Sequence, residues 1–314
     1  MTAASGAIGS SRGRRSWGEG TNWSSLVFLL PAAILVIVFL VYPTIYTVLL
    51  SFNRGRNGEF TEWVGLRNYE QLFLRDPAFI NLSTFPPSGA MWNNLLWLIL
   101  YVSIVLALGL IIAVMAGRVR YEALIKAVVF LPMAIAATAL AVIWTFVYSP
   151  NPTQGLLNAI IGTVGAGPVA WLGNPDLVNY AIIAVGIWGS VGFATVILSA
   201  ALKGIPTEII EAARVDGASE RQIFFRIIVP MVSLPMSVLA VTLVVNVVKL
   251  FDLIFVMTAG GPGTASRVMA FTMYTEAFAG GLFGKGAAVA VIMLLILIPV
   301  MAFNIRRFRS EAVV

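Results

Sequence analysis

The sequence predicts an all-α membrane protein with six transmembrane helices and both termini in the cytoplasm. Three observations lead there. The 314-residue chain has a mean hydropathy of +0.93, with 59% hydrophobic and 11% charged residues, far from the balance of a soluble domain. Apolar runs of roughly eighteen or more residues recur six times, each long enough to cross a bilayer as a helix. Lysine and arginine are also divided unequally among the loops between those runs.

In chain order the runs are 25–52, 92–116, 123–148, 178–202, 232–258 and 286–305. The first follows a basic tail, residues 1–23, and is too long and lacks the small-residue cleavage site for a signal peptide, so a retained helix is expected. The first and third exceed the ~20 residues a bilayer needs, which predicts tilt or interfacial ends. Between the first two runs, "LRNYEQLF" sets Leu66, Tyr69, Leu72 and Phe73 on one side of a short helix, suited to lie at the outer surface. In the fourth run Gly186, Gly189 and Gly192 suit close helix packing. The connections are too short for a soluble domain. Residues 24–308 therefore read as one membrane domain between the tails 1–23 and 309–314.

Charge sets the orientation. Arg12, Arg14, Arg15, Arg118, Arg120, Lys126, Lys203, Arg214, Arg221, Arg226, Arg306, Arg307 and Arg309 fall on one side of the six-run path. Only Arg54, Arg56, Arg67, Arg75, Arg267 and Lys285 fall on the other, with Lys249 inside the fifth run. The positive-inside rule makes the thirteen-residue side cytoplasmic. The basic pI of 9.8 thus reflects topology, since the bases flank membrane runs and do not cluster as a nucleic-acid face. Histidine and cysteine are absent. That excludes disulfides, Ser/His and Cys/His nucleophile systems, and His- or Cys-ligated metal or haem.

The cytoplasmic loop 203–235 contains "EAARVDGASERQIFFRIIVP" (211–230), unusually rich in paired charge for this chain. Thr207 after Pro206 reads as the cap of a first helix, ending at Gly217. Ser219 with Gln222 matches a capping box opening a second, increasingly apolar helix toward Pro230. The first helix mixes charge signs and is rich in alanine. An interfacial anchor carries bulky apolar residues and a basic face instead, so this helix reads as a protein-docking element.

The spacing Glu211-Ala212-Ala213, three residues, Gly217, nine residues, Ile227 to Pro230 resembles the EAA loop of ABC-importer permeases, with Val229 where that pattern has leucine. The triplet Asp216-Gly217-Ala218 is similar to the sugar-importer branch, as are "WVGLRNYEQLFLRDPAF", "FLPMAIAATALAVIWTFVYSPNPTQGLLN", "WLGNPDLVNYAIIAVGIWGSVGF" and "FDLIFVMTAGGPGTASRV". The resemblance spans about residues 24 to 308. It implies a MetI-like permease fold of the maltose-transporter type, a multi-pass protein of a bacterial or archaeal plasma membrane. It also implies partners: a second homologous permease subunit, two ATPase subunits and an extracytoplasmic solute-binding protein. This chain would bind no cofactor, ATP and Mg belonging to the ATPase subunits. Glu211, Ala212, Ala213, Arg214, Asp216, Gly217 and Ala218 would form the coupling contact. The chain has no G-x-x-x-x-G-K-[ST] phosphate loop, which agrees with an energy source elsewhere. "GGLFGKGA" (280–287) has Ala279 at the first glycine position and Gly286 in place of the hydroxyl residue.

Inside the membrane, Asn246, Lys249 and Asp252 recur every third residue, sharing roughly one helix face on which Lys249 neutralises Asp252. Ions in lipid cost about 2.5–3.5 kcal/mol each on insertion scales, so this face turns toward other helices or a watery path. A packing pair and a sugar path both fit. Trp188, Ser190 and Asn94 are further path candidates, whereas Trp144 reads as an interfacial anchor. An alternative function, a secondary transporter coupling solute to an ion gradient through Lys249 and Asp252, rests on the same residues.

Overall fold

The computed structural model describes residues 23–55 and 58–311. Arg12, Arg14, Arg15 and Arg56 lie outside the described residues, as do most of the two tails. Among the described residues there is no sheet, only isolated bridges at Asn53–Trp63 and Asn81–Ser88. The chain divides into one unit ending at Tyr46 and a second from Thr47 onward.

The first unit holds α1 (Trp23–Val36), a π-helical turn (Ile37–Val41) and the start of α2 (Tyr42–Ser51). Its side chains from Val27 to Val41 are apolar and exposed all round, the surface of a helix meant for lipid. Thr44 keeps its hydroxyl satisfied by donating to the Leu40 carbonyl at 2.6 Å, as an apolar solvent requires.

The second unit continues through α3 (Arg67–Glu70), α4 (Ala90–Ala116), α5 (Glu122–Phe130), α6 (Ala137–Val147), α7 (Leu156–Thr163) and α8 (Val178–Lys203). Then come α9 (Thr207–Val215), α10 (Glu220–Ile223), α11 (Val229–Met231), α12 (Ser233–Val248), α13 (Asp252–Met257), α14 (Met269–Tyr274) and α15 (Phe283–Glu311). Four unbroken stretches are long and apolar enough to cross a membrane: Val27–Ser51, Ala90–Ala116, Val178–Lys203 and Phe283–Arg307. They coincide with the first, second, fourth and sixth expected runs.

The third run departs from the expectation of a tilted helix. It is bent by 97° between Glu122–Ala134 and Ala137–Val147. Pro132 sits in the 3₁₀ turn Leu131–Ala134, and Ile135 and Ala136 follow in extended conformation. Proline removes a helical donor and clashes with the preceding turn, so the excess length is absorbed by a bend. The fifth region is bent by 67° between Glu220–Met231 and Ser233–Val248, at the expected start of the run.

α4 and α8 form the centre of the second unit, around Trp97, Val105, Ile182, Val185 and Leu198. Close approach is built in. A Cβ on Gly192 would lie 2.2 Å from the Val129 carbonyl oxygen of α5, and one on Gly186 would lie 2.8 Å from the Trp97 ring. Gly189 has only ordinary contact and borders a cavity instead. A second cluster joins Leu72, Phe79, Ala90, Met269 and Val289. Leu72 is fully buried there, whereas Leu66 and Phe73 are exposed. The expected four-residue surface face is therefore split, with Leu72 and Tyr69 turned into the unit. Nearby, Lys285 of α15 bonds Asp76 at 2.8 Å and Glu276 at 3.1 Å, fastening three segments with one ammonium.

Candidate functional site

Two regions gather the residues singled out by sequence. The first is the elbow formed by α9, Gly217 and α10. Gly217 has φ +81°, a left-handed conformation in which a Cβ is unfavourable. Ala218 N–H donates to Ala213 O at 2.9 Å and Gly217 N–H to Arg214 O at 3.1 Å. This 6→1 and 5→2 pair is a Schellman ending that satisfies the last carbonyls of α9. Two residues later Ser219 and Gln222 form a reciprocal capping box. The start of α9 differs from expectation. Its N-cap is Pro206 without a side-chain cap, and Thr207 is already inside the helix.

Along α9 the motif residues divide between two faces. Glu211, Ala212, Arg214, Val215, Asp216 and Gly217 are exposed, with Val215 at 88%. Ala213 and Ala218 pack against the unit's own core. Arg214 is engaged within the chain, its Nε donating to Glu220 Oε1 at 2.9 Å, while Arg118 Nη2 reaches Glu220 Oε2 at 2.8 Å. The Arg214 hydrogen bond, with the positive charge of both arginines, holds the Glu220 carboxyl below its usual range. Glu122 similarly bonds Lys126 and, at 3.0 Å, Lys203. Arg118, Glu122, Lys203, Arg214 and Glu220 line a hollow of about 330 Å³ behind α9.

The second region is a cavity of about 170 Å³ at the α5–α6 bend. Pro132 and Ile135 of the bend, Tyr101 of α4, Ser190 of α8, and Asn246 and Leu250 of the α12 end line it. Tyr101 donates its hydroxyl to Ser190 Oγ at 2.7 Å. Trp97 also borders the cavity, and its buried indole N–H has no partner among the described residues. The lining is apolar with a few hydrogen-bonding groups, as in small-molecule sites.

Of the expected path residues, Ser190 and Asn246 meet at this cavity and the others do not. Asn94 is fully buried. Its amide donates to Val247 O at 3.1 Å and its Oδ1 accepts from Met269 N–H at 2.7 Å. It thereby caps an orphan N–H at the start of α14 and adds a second donor to a carbonyl at the end of α12 that also accepts from Leu250 N–H. Asn94 acts as a structural latch between two helix ends. Trp188 is partly exposed and packs edge-on against Trp144 at 5.5 Å, away from the cavity. Trp144 itself joins Tyr148 at 5.2 Å and lies against the core, so it serves packing more than interfacial anchoring.

Lys249 and Asp252 also depart from expectation. α12 ends at Val248, Lys249 is its C-cap, and the helix resumes only at Asp252 after Phe251 at φ −134°. The two side chains do not share a continuous helix face. Among the described residues neither enters an ion pair, and both are exposed. Beside the break the Val247 carbonyl accepts from both Leu250 N–H, at 3.2 Å, and the Asn94 amide.

Sequence reading missed Trp97, Tyr101, Asn93 and Asn179. Asn93 Nδ2 reaches Ala265 O and Arg267 O, each at 2.7 Å, and Asn179 Nδ2 reaches Ala265 O at 2.9 Å. They pin the glycine-rich segment before α14. The adjacent Asn93-Asn94 pair, polar in an apolar run, was the available signal.

Residues 105–306 match the family described as "Binding-protein-dependent transport system inner membrane component". The osmoprotective compounds uptake permease protein GgtC of Synechocystis sp. is 46% identical, covering 91% of this chain and 99% of that protein. The alpha-glucoside transport system permease protein AglF of Rhizobium meliloti is 40% identical, covering 91% of this chain and 82% of that protein. The fold is similar to that of a chain from the crystal structure of a bacterial ABC transporter involved in the import of the acidic polysaccharide alginate. There the TM-score is 0.75 at 24% identity, covering 90% of this chain and 96% of that one.

Proposed function

We propose, from the premise that this chain belongs to the family of binding-protein-dependent transport system inner membrane components, that it is a permease subunit of an ABC importer for a sugar-like solute. Similarity to AglF, an alpha-glucoside transport system permease protein, supports that solute class. In this reading residues 24–308 cross the plasma membrane six times, with the elbow 203–235 and both tails in the cytoplasm. The elbow docks on separate ATPase subunits that bind ATP and Mg. A second homologous permease completes the path, and an external solute-binding protein delivers the solute. The chain itself performs no bond chemistry.

The exposed face of α9 carries the reading. Exposed Val215 next to Ala212, with Glu211 and Asp216 beside them, makes a small apolar patch with a charged edge. It suits a protein socket with a polar rim. The Schellman turn and capping box hold that face at a fixed angle to α10. Lys249 and Asp252 support the second permease. Unpaired charges exposed within a membrane run would each cost about 2.5–3.5 kcal/mol against lipid, so that surface calls for a protein or aqueous neighbour.

The chain has no cysteine, so Val215→Cys creates a unique thiol. In vesicles containing the whole transporter, a short bifunctional reagent is expected to join it to a nucleotide-binding chain, with the cross-link changing when ATP is added. Labelling of this thiol from the external side would overturn the assignment, as would a consistent failure to capture a nucleotide-binding chain.

A further inference from the structure

The hollow behind α9 raises a mechanical question. A helix that relays movement from one protein to another needs a stiff attachment, yet the space behind α9 is partly empty. Ile210 and Ala213 reach the core only as partly buried neighbours, and about 330 Å³ separates much of this helix from the ends of α4 and α8. Apolar packing alone therefore leaves the outer part of the elbow weakly held.

A single carboxylate spans that gap. Glu220 is the first residue of α10, directly after the Ser219 capping box. Its two oxygens are divided between two elements: Oε1 takes Arg214 Nε of α9 at 2.9 Å, and Oε2 takes Arg118 Nη2 from the turn after α4 at 2.8 Å. Arg118 follows Gly117, the residue capping the C-terminal end of α4. One acid thus joins both arms of the elbow to the end of a membrane helix that lines the central cavity. On the other wall of the hollow, Glu122 at the start of α5 ties Lys203 at the end of α8 to Lys126. Five helix ends are linked around one space through two acids.

Burial distinguishes this brace from a stabilising ion pair. Glu220, Arg118 and Arg214 side chains are 51%, 57% and 53% exposed. Pairs exposed to that extent contribute little to folding stability. Their geometry is nevertheless specific, because the guanidinium groups approach different oxygens of one carboxylate. The arrangement constrains direction more than it adds stability.

We infer that Glu220 is a positioning residue that couples movement of α9 to the end of α4, acting through Arg214 and Arg118. This deepens the coupling role proposed above and rests on it. Without the brace, α9 still meets its partner, but its displacement is taken up in the hollow.

The test uses the complete transporter in proteoliposomes, comparing solute imported per ATP hydrolysed for wild type, Glu220→Gln, Arg118→Ala, the double variant and Arg118→Lys. Glu220→Gln is expected to lower that ratio by roughly fivefold, the upper range for a solvent-exposed pair, with ATPase co-purification unchanged. The double variant should do no more harm than Glu220→Gln alone, because that change already removes the link to Arg118. Arg118→Lys should recover much of the ratio, since charge and reach persist. Unchanged coupling in Glu220→Gln, or additive losses in the double variant, would overturn the brace. The Val215→Cys cross-link separates the two proposals: if it forms while Glu220→Gln couples normally, only the brace is wrong. If it never forms, the docking reading fails first.

Discussion

At the residue scale, Asn94 and Asp252 contrast two uses of a polar group in an apolar chain. Asn94 is buried with both ends of its amide committed to backbone. Asn94→Leu should therefore strand the Met269 N–H in an apolar interior and take one of two donors from the Val247 carbonyl, costing about 1–3 kcal/mol for the stranded group if nothing else pairs with it. A lower thermal midpoint of the purified transporter would register the loss. An unchanged midpoint would mean that the Met269 N–H finds another partner. Asp252 is exposed and makes no ion pair among the described residues, so its loss should leave folding and ATPase association intact. Asp252→Asn is expected instead to change uptake across a range of solute concentrations. Unchanged uptake would take Asp252 out of the solute path. Composition gave no means of separating these residues beforehand. Both stand out as polar in apolar runs, but Asn94's partners lie 153 and 175 positions away, and only tertiary structure brings them together. The expected pairing of Lys249 with Asp252 failed for a related reason. Three-residue spacing means one face only while the helix is continuous, and the break between Val248 and Asp252 is stabilised in part by that distant asparagine.

At the element scale, the elbow was legible because its signals are local. Gly217 marks a left-handed ending and Ser219 with Gln222 marks a start, and both devices act within a few residues of themselves. The 97° bend in the third run was much less legible. Hydropathy records how oily a segment is and says nothing of its direction, and proline often occurs in straight spans where neighbours satisfy the freed carbonyl. Pro132 bends this one where extended Ile135 and Ala136 follow it, leaving the space that becomes the cavity. The elbow yields a graded prediction. Gly217→Ala retains the turn at a cost of about 1 kcal/mol, the penalty for a side chain at positive φ. Gly217→Pro cannot keep it, because proline is fixed near −65° and this residue stands at +81°. ATPase co-purification should therefore fall slightly for alanine and be lost for proline, with membrane insertion preserved in both. Glu211→Lys, which leaves the turn intact, should also release the ATPase if the exposed α9 face is the contact. Normal co-purification from both Gly217→Pro and Glu211→Lys would sink the docking claim.

At the scale of the whole molecule, the proposed orientation makes the two kinds of loop experimentally distinct. Basic residues are expected to stay in the cytoplasm because moving them across the membrane is disfavoured. This chain places thirteen on one side of the six-run path and six on the other. The bends leave this orientation unchanged, since a bent segment entering on one side and leaving on the other still reverses the side of the next loop. It would fail if the α5–α6 pair turned back as a re-entrant loop, because every loop after it would then change sides. Single cysteines in this naturally cysteine-free chain distinguish the cases. Ser83→Cys and Thr153→Cys occupy exposed positions in the first and third loops, and Tyr121→Cys and Asp216→Cys in the second and fourth. In intact cells a membrane-impermeant maleimide should label the first two at once and the second two only after permeabilisation. If α5–α6 returned to its own side, Thr153 would be protected and Asp216 labelled from outside. The elbow would then lie where no ATP is available, and a coupling role for Gly217, Val215 and Glu220 would be physically excluded.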